Sequence, residues 1–337
     1  MKEALLYDKM DSAKVKCRLC RHGCTIDDGK KGICSVRMNR EGTLYSLVFD
    51  KVISTNVDPI EKKPLFHVAP GSRAYSIATV GCNFRCSFCQ NHAISQMPRD
   101  RGVIMGDDIP PSLIATGASQ SGCRSISYTY TEPTIFYELA KETMTEAKKL
   151  GLLNNFVTNG YMTRDMLDDA TGLLDAANVD LKAFNDNFYK KYCHAKREGV
   201  LDTLRYMKQL GIWVEVTTLL IPTLNDDLKE VQDLARFIKD ELGPETPWHV
   251  SRFYPQYREQ HLPPTEVSAI RKVREIGREE GLYYVYTGNI PGDAGEKTYC
   301  PKCSHLLIDR MGYRIWKNVI HEGNCPECGH AVEGIEM

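Results

Sequence analysis

Between residues 71 and 292, short apolar runs alternate with longer amphipathic stretches. The runs at 74–80, 125–129, 155–158, 178–181, 213–221, 249–253 and 282–286 are too short for helices and read as strands. The stretches at 135–150, 163–174, 200–210, 228–242 and 266–280 repeat apolar residues at helical spacing. Pro110 and Pro133 suit the first turn of a helix. Strand and helix alternating through most of a domain predict a parallel sheet with crossover helices. Six or seven such units match an incomplete (β/α) barrel, an α/β fold.

Two cysteine-bearing segments flank this alternation. The chain divides into a Cys-rich N-terminal module (1–70), a partial barrel (71–292) and a C-terminal metal-binding module (293–337). The first boundary follows the punctuated run from Asp58-Pro59 to Pro70-Gly71; the second follows the Gly/Pro-rich stretch Gly288–Gly292.

Thirteen cysteines fall into clusters of four, three and four, plus Cys123 and Cys193. An odd total in tight clusters, without a basic-then-apolar leader, argues for metal rather than disulfides. The central cluster is Gly81-Cys82-Asn83-Phe84-Arg85-Cys86-Ser87-Phe88-Cys89. Structural zinc sites are closed by four ligands, commonly from two paired knuckles. A lone three-cysteine loop fits that poorly. Cys82, Cys86 and Cys89 can instead hold three irons of a [4Fe–4S] cluster and leave the fourth open, since a complete set has four thiolates.

The tail carries Cys300-Pro301-Lys302-Cys303 and Cys325-Pro326-Glu327-Cys328, a zinc-ribbon spacing that equally holds one iron as in rubredoxins. Zinc is preferred as the commoner use, and it would fold the segment outright. Cys17, Cys20, Cys24 and Cys34 can enclose zinc or an auxiliary iron–sulfur cluster; His22 is surplus if all four thiolates bind.

A net charge of −1 shows no basic excess, which disfavours nucleic acid as a partner. Hydrophobic content of 42% and charged content of 26% are ordinary for a globular protein. No apolar run is long enough to span a membrane, and a cytoplasmic location is expected.

Barrel enzymes draw functional residues from the carboxyl ends of strands. Tyr130-Thr131-Glu132-Pro133 follows the second strand pattern, where Glu132 also favours a helix start. Thr158-Asn159-Gly160 follows the third and is a strong turn signal. Asp180 and Lys182 follow the fourth and share one strand face, costly unless they pair with each other or a ligand. His249 begins the sixth pattern; it either contacts a ligand or is a satisfied buried histidine. Cys193 after the fourth strand is either a hydrogen-atom donor near the barrel mouth or a small buried apolar residue.

The central loop resembles the signature of the radical S-adenosylmethionine (SAM) superfamily. That resemblance implies a (β/α)6 partial barrel and SAM chelated to the open iron. One electron would then split the sulfonium and yield a 5′-deoxyadenosyl radical that abstracts hydrogen from substrate; this chemistry belongs to the cofactors. Tyr-Thr-Glu-Pro resembles the Gly-Gly-Glu-Pro motif of activases, with Tyr130 and Thr131 replacing the glycines, and implies that Thr131 and Glu132 hold the SAM amino group. Thr158-Asn159-Gly160 and Asp180-Leu181-Lys182 resemble SAM-proximal segments of pyruvate formate-lyase activating enzymes. They imply that Thr158, Asn159, Asp180 and Lys182 line the cofactor site.

With the head motif Cys17-x2-Cys20-x3-Cys24 and Gly32-Ile33-Cys34-Ser35-Val36-Arg37-Met38-Asn39, most of residues 17 to 292 resemble the radical SAM protein of the AmmeMemoRadiSam system. This implies Memo-like and AMMECR-like partners and an electron donor such as flavodoxin or ferredoxin. Small-molecule radical chemistry is expected, with activation of a glycyl-radical enzyme as the alternative. A zinc-dependent scaffold would instead show zinc, no labile iron and no SAM cleavage.

Overall fold

The computed structural model describes residues 1–337. One eight-stranded sheet organises it: β1 (Ser54–Pro59), β2 (Arg73–Ala78), β3 (Ser125–Tyr128), β4 (Leu153–Thr158), β5 (Ala176–Asp180), β6 (Trp213–Leu220), β7 (Trp248–Arg252) and β8 (Val285–Gly288). Neighbours in the sheet are neighbours in sequence. The ladder is parallel from β2 to β8, and β1 joins β2 antiparallel at one edge. β1 and β8 are not paired with each other, so the barrel is open, with seven parallel strands.

The main crossover helices are α1 (Pro111–Gln120), α2 (Tyr137–Lys149), α3 (Arg164–Asp169), α4 (Arg197–Gln209), α5 (Leu228–Phe237) and α6 (Val267–Glu279). α2 forms because Leu139, Ala140, Thr143, Met144 and Ala147 fall on one face and are buried there. Burying Leu139 or Met144 contributes about 1.5–3 kcal/mol. α5 starts where Asp227 accepts bonds from the Lys229 and Glu230 amides. The 163–174 pattern yields a helix of six residues, because the chain turns at Ala170. α1 starts where Pro110 marked a helix start, with Pro110 as the N-cap and Pro111 in the first turn.

The segment after β1 bonds to the central strands of the sheet. The amides of Phe66 and His67 donate to Glu215 on β6 at 3.0 and 2.8 Å, and the Asn178 side chain on β5 donates to the Pro64 carbonyl. The end of the chain returns to the same place: Ile335 pairs with Val68 in a parallel bridge. The head forms small antiparallel sheets (Lys2–Glu3, Arg37–Arg40 and Thr43–Ser46; Tyr7–Lys9, Val15–Cys17 and Thr25–Ile26). The tail adds a three-stranded sheet over Thr298–Tyr299, Leu306–Met311 and Arg314–Asn318. No helix is long and apolar enough to cross a membrane.

Candidate active site

The carboxyl ends of the parallel strands surround a cavity of about 420 Å³. Cys82, Cys86 and Cys89, on the loop after β2, line one wall. Thr131, Glu132, Thr158, Asn159, Asp180, Lys182 and His249 line the same space. A volume in this range suits a cofactor or small ligand.

Glu132 is fully buried and its carboxylate is occupied. One oxygen accepts the Thr134 amide and hydroxyl and the Thr158 hydroxyl; the other accepts the Asn159 amide at 2.8 Å. Burial pushes its carboxyl up, while these donors pull it back. Glu132 thus fixes the turn after β4. The Asn159 side chain reaches onward to Asn83 Oδ1 at 2.7 Å and to Cys82 Sγ at 3.7 Å.

Tyr130 adopts φ 62°, a left-handed conformation that glycine takes without strain. Anchors hold it there: its hydroxyl bonds Asp58, its ring lies 4.3 Å from Lys63 Nζ, and its carbonyl accepts Asn91 Nδ2 at 2.7 Å. A tyrosine thereby takes a shape suited to glycine. Thr131 donates to the Thr79 carbonyl at 2.8 Å.

Asp180 and Lys182 form an ion pair at 2.7 Å on the cavity wall. Burial works against the Lys182 charge, but the paired Asp180 carboxylate outweighs it and keeps the ammonium protonated. Burial pushes the Cys82 and Cys89 thiols up. Cys86 is pulled down by its hydrogen bond with Cys193, and Lys182 pulls the same way. Cys193 is fully buried behind Cys86 and is not among the residues lining the cavity.

His249 reaches the cavity wall but spends Nε2 on Glu215, 2.6 Å away. Sequence reasoning missed Lys62 and Lys63 and the tail residues Gly312 and Tyr313, which also line the cavity. The Lys62-Lys63 pair before Pro64 was the available signal; nothing in the sequence marked Tyr313. The hydroxyl of Thr217, buried and lining the cavity, has no partner in the protein.

The donor set fits a cluster of several irons. Three thiols of one loop face the cavity, and their sulfurs are not mutually within 4.8 Å, too wide for one shared ion. In the tail, the sulfurs of Cys300, Cys303, Cys325 and Cys328 all lie within 4.8 Å of one another, a spacing suited to one metal ion.

The sequence pattern of the Radical SAM superfamily matches residues 76–238. An uncharacterized protein of Methanocaldococcus jannaschii is 44% identical over 335 residues, covering 99% of each chain. The pyruvate formate-lyase-activating enzyme of Clostridium pasteurianum is 22% identical over 160 residues, covering 48% of this chain and 67% of its own. Among solved structures, Streptococcus suis SuiB bound to S-adenosylmethionine shares the fold, with a TM-score of 0.51 and 11% identity over 68% of this chain and 53% of that one. The chain belongs to the radical SAM superfamily. It is a radical SAM enzyme with homology to glycyl-radical enzyme activases.

Proposed function

We propose that this enzyme cleaves SAM reductively at the Cys82–Cys86–Cys89 loop and directs the resulting radical at a small molecule. One observation carries the reading: the three thiols and the Asp180–Lys182 pair open onto the same cavity of about 420 Å³. When bound and reduced, the cluster supplies the electron that splits the sulfonium and so releases a 5′-deoxyadenosyl radical. The chain's own residues bind and orient. Lys182 uses one ammonium proton on Asp180 and keeps donors for a ligand carboxylate. Glu132 holds the Thr158-Asn159 turn beside Cys82, where these residues would help position a ligand. Phe88, Val157 and Leu219 give the cavity apolar wall for an adenine ring. The tail hairpin contributes Gly312 and Tyr313 to the wall, which narrows access and favours a small substrate over a folded protein loop.

Memo-like and AMMECR-like proteins are the proposed partners, and a flavodoxin or ferredoxin the proposed electron donor, on the strength of the sequence resemblance. The second reading is activation of a glycyl-radical enzyme, favoured by the similarity to a pyruvate formate-lyase-activating enzyme over about half the chain. Anaerobic incubation of reduced, iron-loaded enzyme with SAM tests the main reading through 5′-deoxyadenosine formation. Its stimulation by small-molecule extract supports a small substrate; a glycyl radical on an added protein, seen by electron paramagnetic resonance, supports the second reading.

A further inference from the structure

The sulfurs at the two ends of the chain are spaced differently. In the tail, Cys300 and Cys328 lie 3.6 Å apart, and Cys303 and Cys325 3.7 Å. One tetrahedral ion with metal–sulfur bonds of about 2.3 Å sets its ligand sulfurs about 3.8 Å apart. The tail matches that geometry. In the head, Cys17, Cys20, Cys24 and Cys34 line one small void with mostly apolar walls. Yet no three of their sulfurs lie mutually within 4.8 Å. One ion does not bridge so wide a set. A four-iron cube places each thiolate on a different iron and so sets its ligands wider apart than one ion does.

Arg37 supplies an independent sign. It is 2% exposed and lines the same void. Its Nη1 meets Glu138 at 2.8 and 2.9 Å, and its Nη2 donates to the Leu5 carbonyl. Its Nε–H has no acceptor. A buried donor without an acceptor costs about 1–3 kcal/mol, so such groups generally have partners. An anionic cluster in the void offers sulfur acceptors, and the guanidinium offsets its charge.

We propose that Cys17, Cys20, Cys24 and Cys34 hold a second four-iron iron–sulfur cluster, with Arg37 Nε donating a hydrogen bond to one of its sulfurs. This head site adjoins the central loop. Arg99 Nη2 donates to the Ile33 carbonyl at 2.9 Å and to the Cys82 carbonyl at 3.3 Å. A Cβ on Gly81 would lie 3.4 Å from the Cys34 carbonyl oxygen. Two reduced clusters held on touching loops would be expected to broaden each other's resonances.

The test uses the full chain, loaded anaerobically with iron and sulfide, then analysed for iron, sulfide and zinc. About eight irons per chain are expected, four for each cluster. About four irons with zinc retained in the head would overturn the proposal. The double variant Cys20→Ala/Cys24→Ala should lose half the iron and keep a central-cluster resonance, narrowed by loss of its magnetic neighbour; unchanged iron would also overturn it. Should that variant fail to fold, Mössbauer spectra of the wild type decide: two four-iron components support the second cluster and one refutes it. A Cys82→Ala/Cys86→Ala variant separates the sites, because it removes the central cluster and leaves the head iron whether or not the proposed SAM chemistry is right.

Discussion

The side-chain amide of Asn159 donates to Asn83 Oδ1 at 2.7 Å, and this bond fastens the turn after β4 to the loop that carries Cys82. The same turn is gripped from the other side by Glu132 through the Asn159 amide. The acid after β3 and the cysteines after β2 are therefore mechanically linked. Removing the Asn159 side chain leaves Asn83 Oδ1 buried without this donor, at a cost of about 1–3 kcal/mol. Asn159→Ala should fold with a lower Tm and bind SAM more weakly, by roughly tenfold for each 1.4 kcal/mol lost. Calorimetric titration of the iron-loaded enzyme measures this.

Glu132→Gln should be worse than its size suggests. Both carboxylate oxygens accept, from four donors in all, and a glutamine turns one acceptor into a donor facing another donor. A destabilisation of about 1–3 kcal/mol is expected, read by denaturant unfolding. Glu132→Asp keeps the charge but shortens the reach, and should lose SAM affinity while retaining iron.

Gly81 stands at φ 106°, and a Cβ there would come within 2.7 Å of Val36 Cγ1. Gly81→Ala combines backbone strain of about 1–3 kcal/mol with a clash between head and central loop. It should lower Tm and reduce iron loading of the central site, measured as iron per chain after reconstitution.

The tail should hold one zinc. Cys303→Ser removes one of four thiolates spaced for a single ion, and zinc per chain should fall by about one while iron stays unchanged. Elemental analysis of the folded variant checks this.

Stability should fall on acidification through one buried chain of hydrogen bonds. Arg310 donates to Thr298, Thr298 and Tyr286 share a bond of 2.8 Å, and Tyr286 meets His67 Nε2 at 2.7 Å. His67 Nδ1 faces the Glu333 carbonyl at 2.6 Å, which makes Nδ1 the protonated nitrogen and Nε2 the acceptor of the Tyr286 hydroxyl. Burial lowers His67 to about 4. Its folded value lies below the unfolded one of about 6.5, so the unfolded state binds the proton first. The contribution is present above pH 6.5 or so and is lost as pH falls toward 4, at up to about 1.4 kcal/mol per pH unit. His67→Gln should flatten that slope in denaturant unfolding at stepped pH.

The barrel was legible because each strand is a short apolar run followed by a turn signal, and the ladder keeps the sequence order. The cysteine loop and the strand-end residues converge on one cavity because that is where a parallel barrel delivers strand ends. The pattern did not show that Ser54–Pro59 joins the sheet, since its mostly polar residues follow no inward alternation. Nor did it show the segment 64–67 bonding to the central strands: its partners Asn178 and Glu215 are polar residues on β5 and β6, placed there by tertiary hydrogen bonds and not by hydrophobic period. Tyr313 reaches the cavity from a tail that sequence distance separates from every barrel motif.

The central claim is most directly tested by measuring 5′-deoxyadenosine after anaerobic incubation of the reduced, iron-loaded chain with SAM, beside Cys86→Ala. Product is expected from the wild type over repeated turnovers and none from the variant. Equal product from both, or none from a wild type with its full iron content, would contradict it.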